Sequence, residues 1–156
     1  MINPMYINVN RILGLITFLI SFFVYFDTMA PSVSYWDCGE FIAVSYTLGV
    51  PHPPGSPLFL LLGRIASMLP ISEDIAFRVN LLSPLASAFA VLFLYFIIVQ
   101  LVKHWRGKIE TSTDALIAFG AGVVGSMTFA FTDSHWFNAV EAEVYAFSTF
   151  FTAIVA

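Results

Sequence analysis

The stretch VNLLSPLASAFAVLFLYFIIVQLV, residues 79–102, decides the fold class. It has no charged side chain, and it is longer than the ~20 residues that a helix needs to cross the ~30 Å of bilayer hydrocarbon. The basic sequence KHWRGK, residues 103–108, follows it directly. We therefore expect a transmembrane helix over 79–102 that ends at the membrane surface.

Other apolar segments predict three more spans, over residues 11–30, 115–132 and 139–156. The span over 115–132 carries small residues that suit close helix packing, namely Gly120, Gly122, Gly125 and Ser126. Residues 31–78 then form a long outer loop. The expected fold class is all-α: a polytopic transmembrane helical bundle with short interfacial helices in that loop. We interpret residues 1–156 as a single transmembrane module, the N-terminal fragment of a longer protein.

The composition agrees with a membrane protein. Hydrophobic residues make up 59% of the chain and charged residues only 10%, too few to cover the surface of a water-soluble domain. The net charge of −4 says little about partners, but the lack of a basic stripe argues against a nucleic-acid partner. The single cysteine, Cys38, excludes an internal disulfide and a zinc site with several thiolates.

The first apolar segment has two interpretations. Its core is longer than that of most signal peptides, although Thr28-Met-Ala30 resembles a cleavage site. Pro31 would follow such a cut and is unfavourable for cleavage. We therefore expect an uncleaved anchor.

Basic residues predict the orientation. Lys103, Arg106 and Lys108 form the basic cluster of the chain, so their loop should be cytoplasmic. Two spans separate this loop from the N-terminus, which is then also cytoplasmic. The loop over 31–78 consequently faces the opposite side, and we expect an integral protein of a bacterial inner membrane with a periplasmic outer loop.

The segment over 58–69 is too short for an ordinary span and contains Arg64. If it crossed the membrane, the basic cluster would lie outside. We expect an amphipathic helix that lies in the interface, with Ser56 as its N-cap and Pro57 at its first position.

Two acids stand at the start of the outer loop, in WDCGEF, residues 36–41. Ser34 and Asp37 fit a capping box and Gly49 fits a helix end, so we expect a helix over 37–48. Asp37 and Glu40 would share one face of it. Two interpretations stay open: a reactive pair of carboxylates, or a helix cap beside a solvated acid that the helix dipole stabilises.

The sequence PHPPGSP, residues 51–57, presents His52 from a loop that four prolines restrict. His52 could bind phosphate, ligate a metal or transfer a proton, or it could be incidental to a turn. Arg64 could clamp a ligand phosphate or contact membrane lipid, which is the commoner role.

A third group of polar residues lies in DSHWFNAVEAEVY, residues 133–145. On a helix that begins near Ala139, Glu141 and Glu143 would point in nearly opposite directions, and Glu141 would share a face with Tyr145. Carboxylates that enter the hydrocarbon region usually face a protein interior or a cavity. The alternative is that both acids stabilise an exposed helix start.

These motifs together resemble the N-terminal module of GT-C superfamily membrane glycosyltransferases. WDCGEF is similar to their acidic motif, and His52-Pro-Pro-Gly55 is similar to the His-Pro-Pro segment of protein O-mannosyltransferases. With VEAEVY, residues 140–145, the chain resembles a bacterial branch long called a domain of unknown function. That branch is related to an animal transmembrane O-mannosyltransferase of receptor ectodomains. The acids here are three apart rather than adjacent, so we assign Asp37 to the catalytic position.

The resemblance implies transfer of mannose or another hexose from a polyprenyl phosphate to a hydroxyl on an extracytoplasmic protein or glycan. Asp37 would be the general base, and Glu40 would position the acceptor. His52 and Arg64 would stabilise the leaving phosphate, while the sugar pocket would use Glu141, Glu143, Tyr145 and His135. A divalent metal ion is a possible cofactor, since these histidines and carboxylates are plausible ligands.

Two other classes of function remain open from the sequence. One is a transporter or lipid-handling protein whose intramembrane acids relay protons or bind a substrate. The other is a non-catalytic membrane scaffold whose outer loop binds a partner.

Overall fold

The computed structural model describes residues 4–53 and 55–156, so Pro54 of the proline-rich loop lies outside the described residues. In this part of the chain every regular element is a helix. In chain order they are α1 (Pro4–Thr28), α2 (Cys38–Thr47), α3 (Pro57–Met68), α4 (Ile75–Asn80), α5 (Leu82–Arg106), α6 (Ser112–Ala130), α7 (Asp133–Ala139) and α8 (Val144–Val155). The predicted all-α membrane bundle is confirmed as the fold class.

Three helical segments are long and apolar enough to cross a membrane: Met5–Thr28, Ile75–Arg106 and Ser112–Ala130. The second of them joins α4 to α5. The expected helix from Ala139 to the last residues is not continuous, because α7 ends at Ala139 and α8 begins only at Val144. With 12 residues, α8 is shorter than the ~20 residues of an ordinary span.

Helix α5 lies at the centre and packs against α1, α6 and α8. Helix α1 is antiparallel to it, because Asn10 accepts a hydrogen bond from the Tyr95 hydroxyl at one end (2.9 Å) and Asn80 donates to the Ala30 carbonyl at the other (2.9 Å). Helix α6 runs parallel to α1, and the Tyr25 hydroxyl donates to the Ala130 carbonyl where both helices end (2.8 Å).

Small residues bring α6 close to α5, as the sequence indicated. A Cβ on Gly122 would lie 2.7 Å from the Val99 side chain, and a Cβ on Gly125 would lie 2.7 Å from the Ile98 side chain. Gly120 differs from these two, since a Cβ there would meet no atom within 4 Å. Gly120 therefore faces open space rather than a helix contact.

Helices α2 and α3 are parallel neighbours. The Phe41 and Phe59 rings are 5.5 Å apart, and Gly63 lies against Ser45 four residues further along both helices. The segment between the helices must therefore run back along α2 from its end towards its start. This return path carries His52 to the first turn of α2.

Candidate active site

The first turn of α2 differs from the expected capping box. The helix begins at Cys38, and its N-cap Asp37 makes no side-chain cap bond. The helix ends at Thr47, and the C-cap residue Leu48 takes the left-handed conformation (φ 55°) that we expected of Gly49. The Asp37 carboxylate is thus not used to cap the helix, and its side chain is 57% exposed.

Glu40 and His52 form a two-point contact across the loop. The His52 backbone N–H donates to Glu40 Oε1 (2.9 Å), and His52 Nδ1 lies 2.6 Å from Glu40 Oε2. The other ring nitrogen, Nε2, lies 3.9 Å from Asp37 Oδ2. The structure thus brings three of the predicted site residues together, with Glu40 fully engaged and Asp37 largely free.

This contact changes how both partners titrate. The hydrogen bond from His52 lowers the pKa of Glu40, and the same bond raises the pKa of His52. The negative charges of Glu40, Asp37 and Glu143 raise the pKa of His52 further. Each partner therefore favours the charged form of the other.

Asp37, Glu40 and His52 could also hold a metal ion. Each offers one ligand atom, and these atoms lie within 4.8 Å of one another. Two carboxylate oxygens and an imidazole nitrogen suit a divalent ion such as Zn²⁺ or Mn²⁺. In the present geometry the Glu40–His52 hydrogen bond occupies two of the three ligand groups.

Glu141 and Glu143 do not lie on a helix, which corrects the expected arrangement. They belong to the break over 140–143 between α7 and α8, so helical spacing does not govern their directions. Both side chains are buried, with exposures of 2% and 6%. Burial, followed by the charge of Glu141, raises the pKa of Glu143. The charge of Glu143 also raises the pKa of His52.

Asn80 is the residue that sequence reasoning missed. Its fully buried side chain donates to the carbonyls of Ala30 and Ser32 (2.9 Å each). Its Oδ1 accepts from the Ala142 backbone N–H (3.1 Å) and from the Cys38 thiol (3.6 Å). One amide therefore ties the segment that carries Asp37 to the break that carries both buried glutamates. The available signal was an asparagine at the start of an otherwise apolar span.

Arg64 is not brought to the cluster. Its Nη1 donates to the Tyr46 carbonyl (2.7 Å), and its guanidinium lies 5.4 Å from the centre of the Tyr46 ring. Tyr46 is in the last turn of α2, six residues after Glu40 and thus ~9 Å further along the helix axis. Arg64 therefore holds α3 against the far end of α2.

His135 and Tyr145 also lie apart from the cluster. His135 is buried between Tyr25 and Phe129, with ring centres 5.9 and 4.3 Å away, and burial lowers its pKa to about 4. Its Nε2 has no hydrogen-bond partner among the described residues. Tyr145 lies on α8 and is 60% exposed. The structure gives neither residue a contact with Asp37, Glu40 or His52.

Comparisons with a family model and with individual relatives indicate the same protein family. Residues 37–156 match the family model described as the Protein O-mannosyl-transferase TMEM260 N-terminal domain. The chain is similar to the Protein O-mannosyl-transferase tmem260 of Dictyostelium discoideum, with 30% identity over 135 residues, 85% of the chain. It is also similar to the Protein O-mannosyl-transferase TMEM260 of Mus musculus, with 30% identity over 128 residues, 82% of the chain. The chain spans only 15% and 16% of the length of these relatives. No solved structure matches it significantly.

Proposed function

Because the chain belongs to the family of Protein O-mannosyl-transferase TMEM260 N-terminal domains, we propose that it forms the acceptor-activating part of a membrane glycosyltransferase. The sugar donor is a polyprenyl-phosphate hexose, with mannose as the first candidate, and the acceptor is a hydroxyl on an extracytoplasmic protein. The resemblance indicated by the sequence motifs is confirmed at the level of the family.

One observation supports the assignment of Asp37 as the general base. Both oxygens of Glu40 are engaged by His52, whereas the Asp37 carboxylate is exposed and makes no closer contact to His52 than 3.9 Å. A general base needs a free oxygen that can reach the proton it removes. Asp37 meets this requirement, and Glu40 serves instead as a positioning residue that holds His52.

The reaction follows from these roles. Asp37 takes the proton of the acceptor hydroxyl while the acceptor oxygen forms a bond to the anomeric carbon. The bond between that carbon and the phosphate oxygen breaks, the phosphate leaves with the electron pair, and the configuration inverts. His52 lies beside Asp37, and its protonated form can offset negative charge that develops on the phosphate. If a divalent ion binds, Asp37, Glu40 and His52 are its ligands, and it would neutralise charge on the phosphate.

The other predicted site residues have different roles in this proposal. Glu143, whose charge acts on His52, is the first candidate for a contact to the sugar, and the buried Glu141 is the second. Arg64, His135 and Tyr145 stay candidates only for contacts that form when donor or acceptor binds. We place the cluster on the periplasmic side of a bacterial inner membrane, opposite the basic loop.

The test compares Asp37→Asn with Asp133→Asn in the full-length protein reconstituted with polyprenyl-phosphate mannose and a serine- and threonine-rich peptide. Asp133 is the matched control, an exposed aspartate in the first turn of α7. Asp37→Asn should lower turnover about 10²- to 10⁴-fold, which is the usual contribution of a general base. Hexose added to the peptide is measured by mass spectrometry, and donor binding should persist. Equal turnover of the two variants would overturn the role of Asp37.

A proton-linked transporter is the second candidate function, because Glu141 Oε1 is buried without a hydrogen-bond partner among the residues that the structure describes. A buried carboxylate of this kind can take up a proton during a transport cycle. Lipid-linked sugar that crosses the vesicle membrane in response to a proton gradient, with no hexose on the peptide, would favour this function over transfer.

A further inference from the structure

A second site lies at the end of the bundle opposite Asp37. A cavity of about 220 Å³ opens where the start of α1, the end of α5 and the start of α6 meet. Its polar lining consists of Tyr6, Asn10, Arg11 and Lys103. Along α1, Tyr6 and Thr28 are separated by ~33 Å, so this cavity is remote from the Asp37 cluster.

The charge of this cavity is positive. Arg11 and Lys103 both line it, and no acidic residue does. Among the described residues neither cation has an ion-pair partner; Lys103 donates only to the Gln100 amide oxygen (3.0 Å). Two cations that converge from different helices at one cavity match an anion with several oxygen acceptors, such as a phosphodiester.

An apolar groove adjoins the cavity. It has a volume of about 430 Å³, lies between α1 and α6, and shares Tyr6 and Phe119 with the cationic cavity. Val9, Leu13, Leu116 and Val123 line it. Gly120 also lines it, and the open space at the Gly120 Cβ position shows that no side chain of the described part of the chain fills this part of the groove.

We propose that this composite site binds one anionic phospholipid. The phosphate lies between Arg11 and Lys103, and an acyl chain follows the groove past Gly120. Basic pockets between helix ends attract anionic headgroups, whereas a purely apolar groove would not distinguish one lipid from another. The occupant is a phospholipid rather than the polyprenyl-phosphate donor, because the cluster proposed to act on the donor lies at the other end of the helices.

The test measures lipid binding to the purified full-length protein by native mass spectrometry, with dioleoyl phosphatidylglycerol and dioleoyl phosphatidylcholine as probes. We expect tighter binding of phosphatidylglycerol. Arg11→Gln should weaken it about fivefold, the usual effect of one basic residue near a membrane surface. Arg106→Gln is the matched control, since Arg106 lies at the same end of the bundle but does not line the cavity or the groove.

A second pair of variants tests the groove. Gly120→Leu should block the acyl chain and weaken phosphatidylglycerol binding about tenfold, while Gly120→Ala should weaken it less because a single methyl group fills little of the groove. Both variants should fold, because the added Cβ meets open space. Circular dichroism checks that they do.

Three results would each overturn the proposal. Equal weakening by Arg11→Gln and Arg106→Gln would indicate general attraction to a charged surface. Displacement of phosphatidylglycerol by inorganic phosphate would indicate a phosphate site without a lipid. Stronger binding of undecaprenyl phosphate at the same site would assign it to the donor lipid. None of these outcomes depends on whether the protein transfers sugar.

Discussion

At the scale of single residues, hydrogen bonding distinguishes the Asp37 carboxylate from the Glu40 carboxylate. Glu40 accepts two bonds from His52, whereas Asp37 accepts no capping bond. A carboxylate with both oxygens engaged is held in one position and favoured in its charged form. Asp37 therefore keeps the freedom that a base requires, and Glu40 fixes the loop that carries His52.

The His52 ring should titrate at a pKa above that of a free histidine, because its hydrogen bond to Glu40 stabilises the protonated form. Glu40→Gln should lower this pKa towards its ordinary value, as followed by NMR of the ring protons. Glu73→Gln removes an exposed acid from another part of the loop and is the control. A His52 pKa that moves equally in both variants would contradict the direct pairing.

The Glu40–His52 pair should stabilise the folded protein only within a range of pH. The pKa of His52 is raised on folding, so its contribution to stability is present at low pH and is lost as the pH rises through the raised pKa. The pKa of Glu40 is lowered, so its contribution is lost as the pH falls through the lowered pKa. Wild type should exceed Glu40→Gln in thermal stability most between these two pKa values. A difference that is constant from acid to alkaline pH would contradict this.

Replacing Asn80 should destabilise the protein more than replacing an exposed polar residue. Asn80→Leu leaves the Ala30 and Ser32 carbonyls and the Ala142 N–H without their partner, at a cost of about 1–3 kcal/mol for each buried group left unsatisfied. Unfolding of the purified protein in denaturant measures this cost.

Two comparisons sharpen the Asn80 experiment. Asn138→Leu is the control, because among the described residues Asn138 donates only to the Ser134 carbonyl one turn earlier. Asn80→Asp keeps an acceptor for Ala142 but has no amide donor for Ala30 and Ser32, so it should still destabilise the protein. Equal stability of Asn80→Leu and Asn138→Leu would remove Asn80 from its proposed role in positioning the site.

At the scale of elements, the close contact between α2 and α3 depends on one glycine. A Cβ on Gly63 would lie 2.8 Å from the Ser45 Cβ and would overlap the Ser45 hydroxyl. Gly63→Ala should therefore force the helices apart at a cost of about 1–3 kcal/mol, even though alanine favours a helix. Gly120→Ala is the control and should be neutral or stabilising by up to about 1 kcal/mol. Thermal unfolding compares the two, and a neutral Gly63→Ala would contradict the close contact.

Elements with strong local signals could be predicted from the sequence. Ser56 and Pro57 mark the start of α3, and the apolar runs mark the three long helices. The break over 140–143 could not be predicted, because Val, Glu and Ala there are compatible with a helix. Contacts from distant residues pull this backbone out of the helix: Ala30 N–H donates to the Val140 carbonyl (2.8 Å), and Ala142 N–H donates to Asn80.

The candidate site could be predicted in part from the sequence. His52 and the two acids of α2 are close in sequence, so a short return loop is enough to join them. The location of Arg64 depended on whether α3 runs parallel or antiparallel to α2. That direction is set by the packing of Gly63 on Ser45 rather than by a local pattern.

At the scale of the whole molecule, the bundle has a basic end and an acidic end. If the basic end is cytoplasmic, a cysteine in place of Val50 should react with a membrane-impermeant maleimide added outside spheroplasts. A cysteine in place of Trp105 should react only after lysis. Both positions are 91% exposed, so accessibility alone does not distinguish them.

The native cysteine provides the background for this experiment. Cys38 is fully buried, and burial raises the pKa of its thiol, so the unmodified protein should label poorly. Labelling at position 105 but not at position 50 would reverse the proposed orientation and place the Asp37 cluster in the cytoplasm.

The parallel course of α2 and α3 has an electrostatic consequence. Both helices begin beside Phe41 and Phe59, and α8 begins at Val144, close to the same ring cluster through Phe147. Each helix start carries roughly half a unit of positive partial charge on its unbonded backbone N–H groups. Three such partial charges lie near this ring cluster, of which Phe41 directly follows Glu40 in sequence. The backbone itself therefore moderates the repulsion that a phosphate approaching Asp37 and Glu40 would meet.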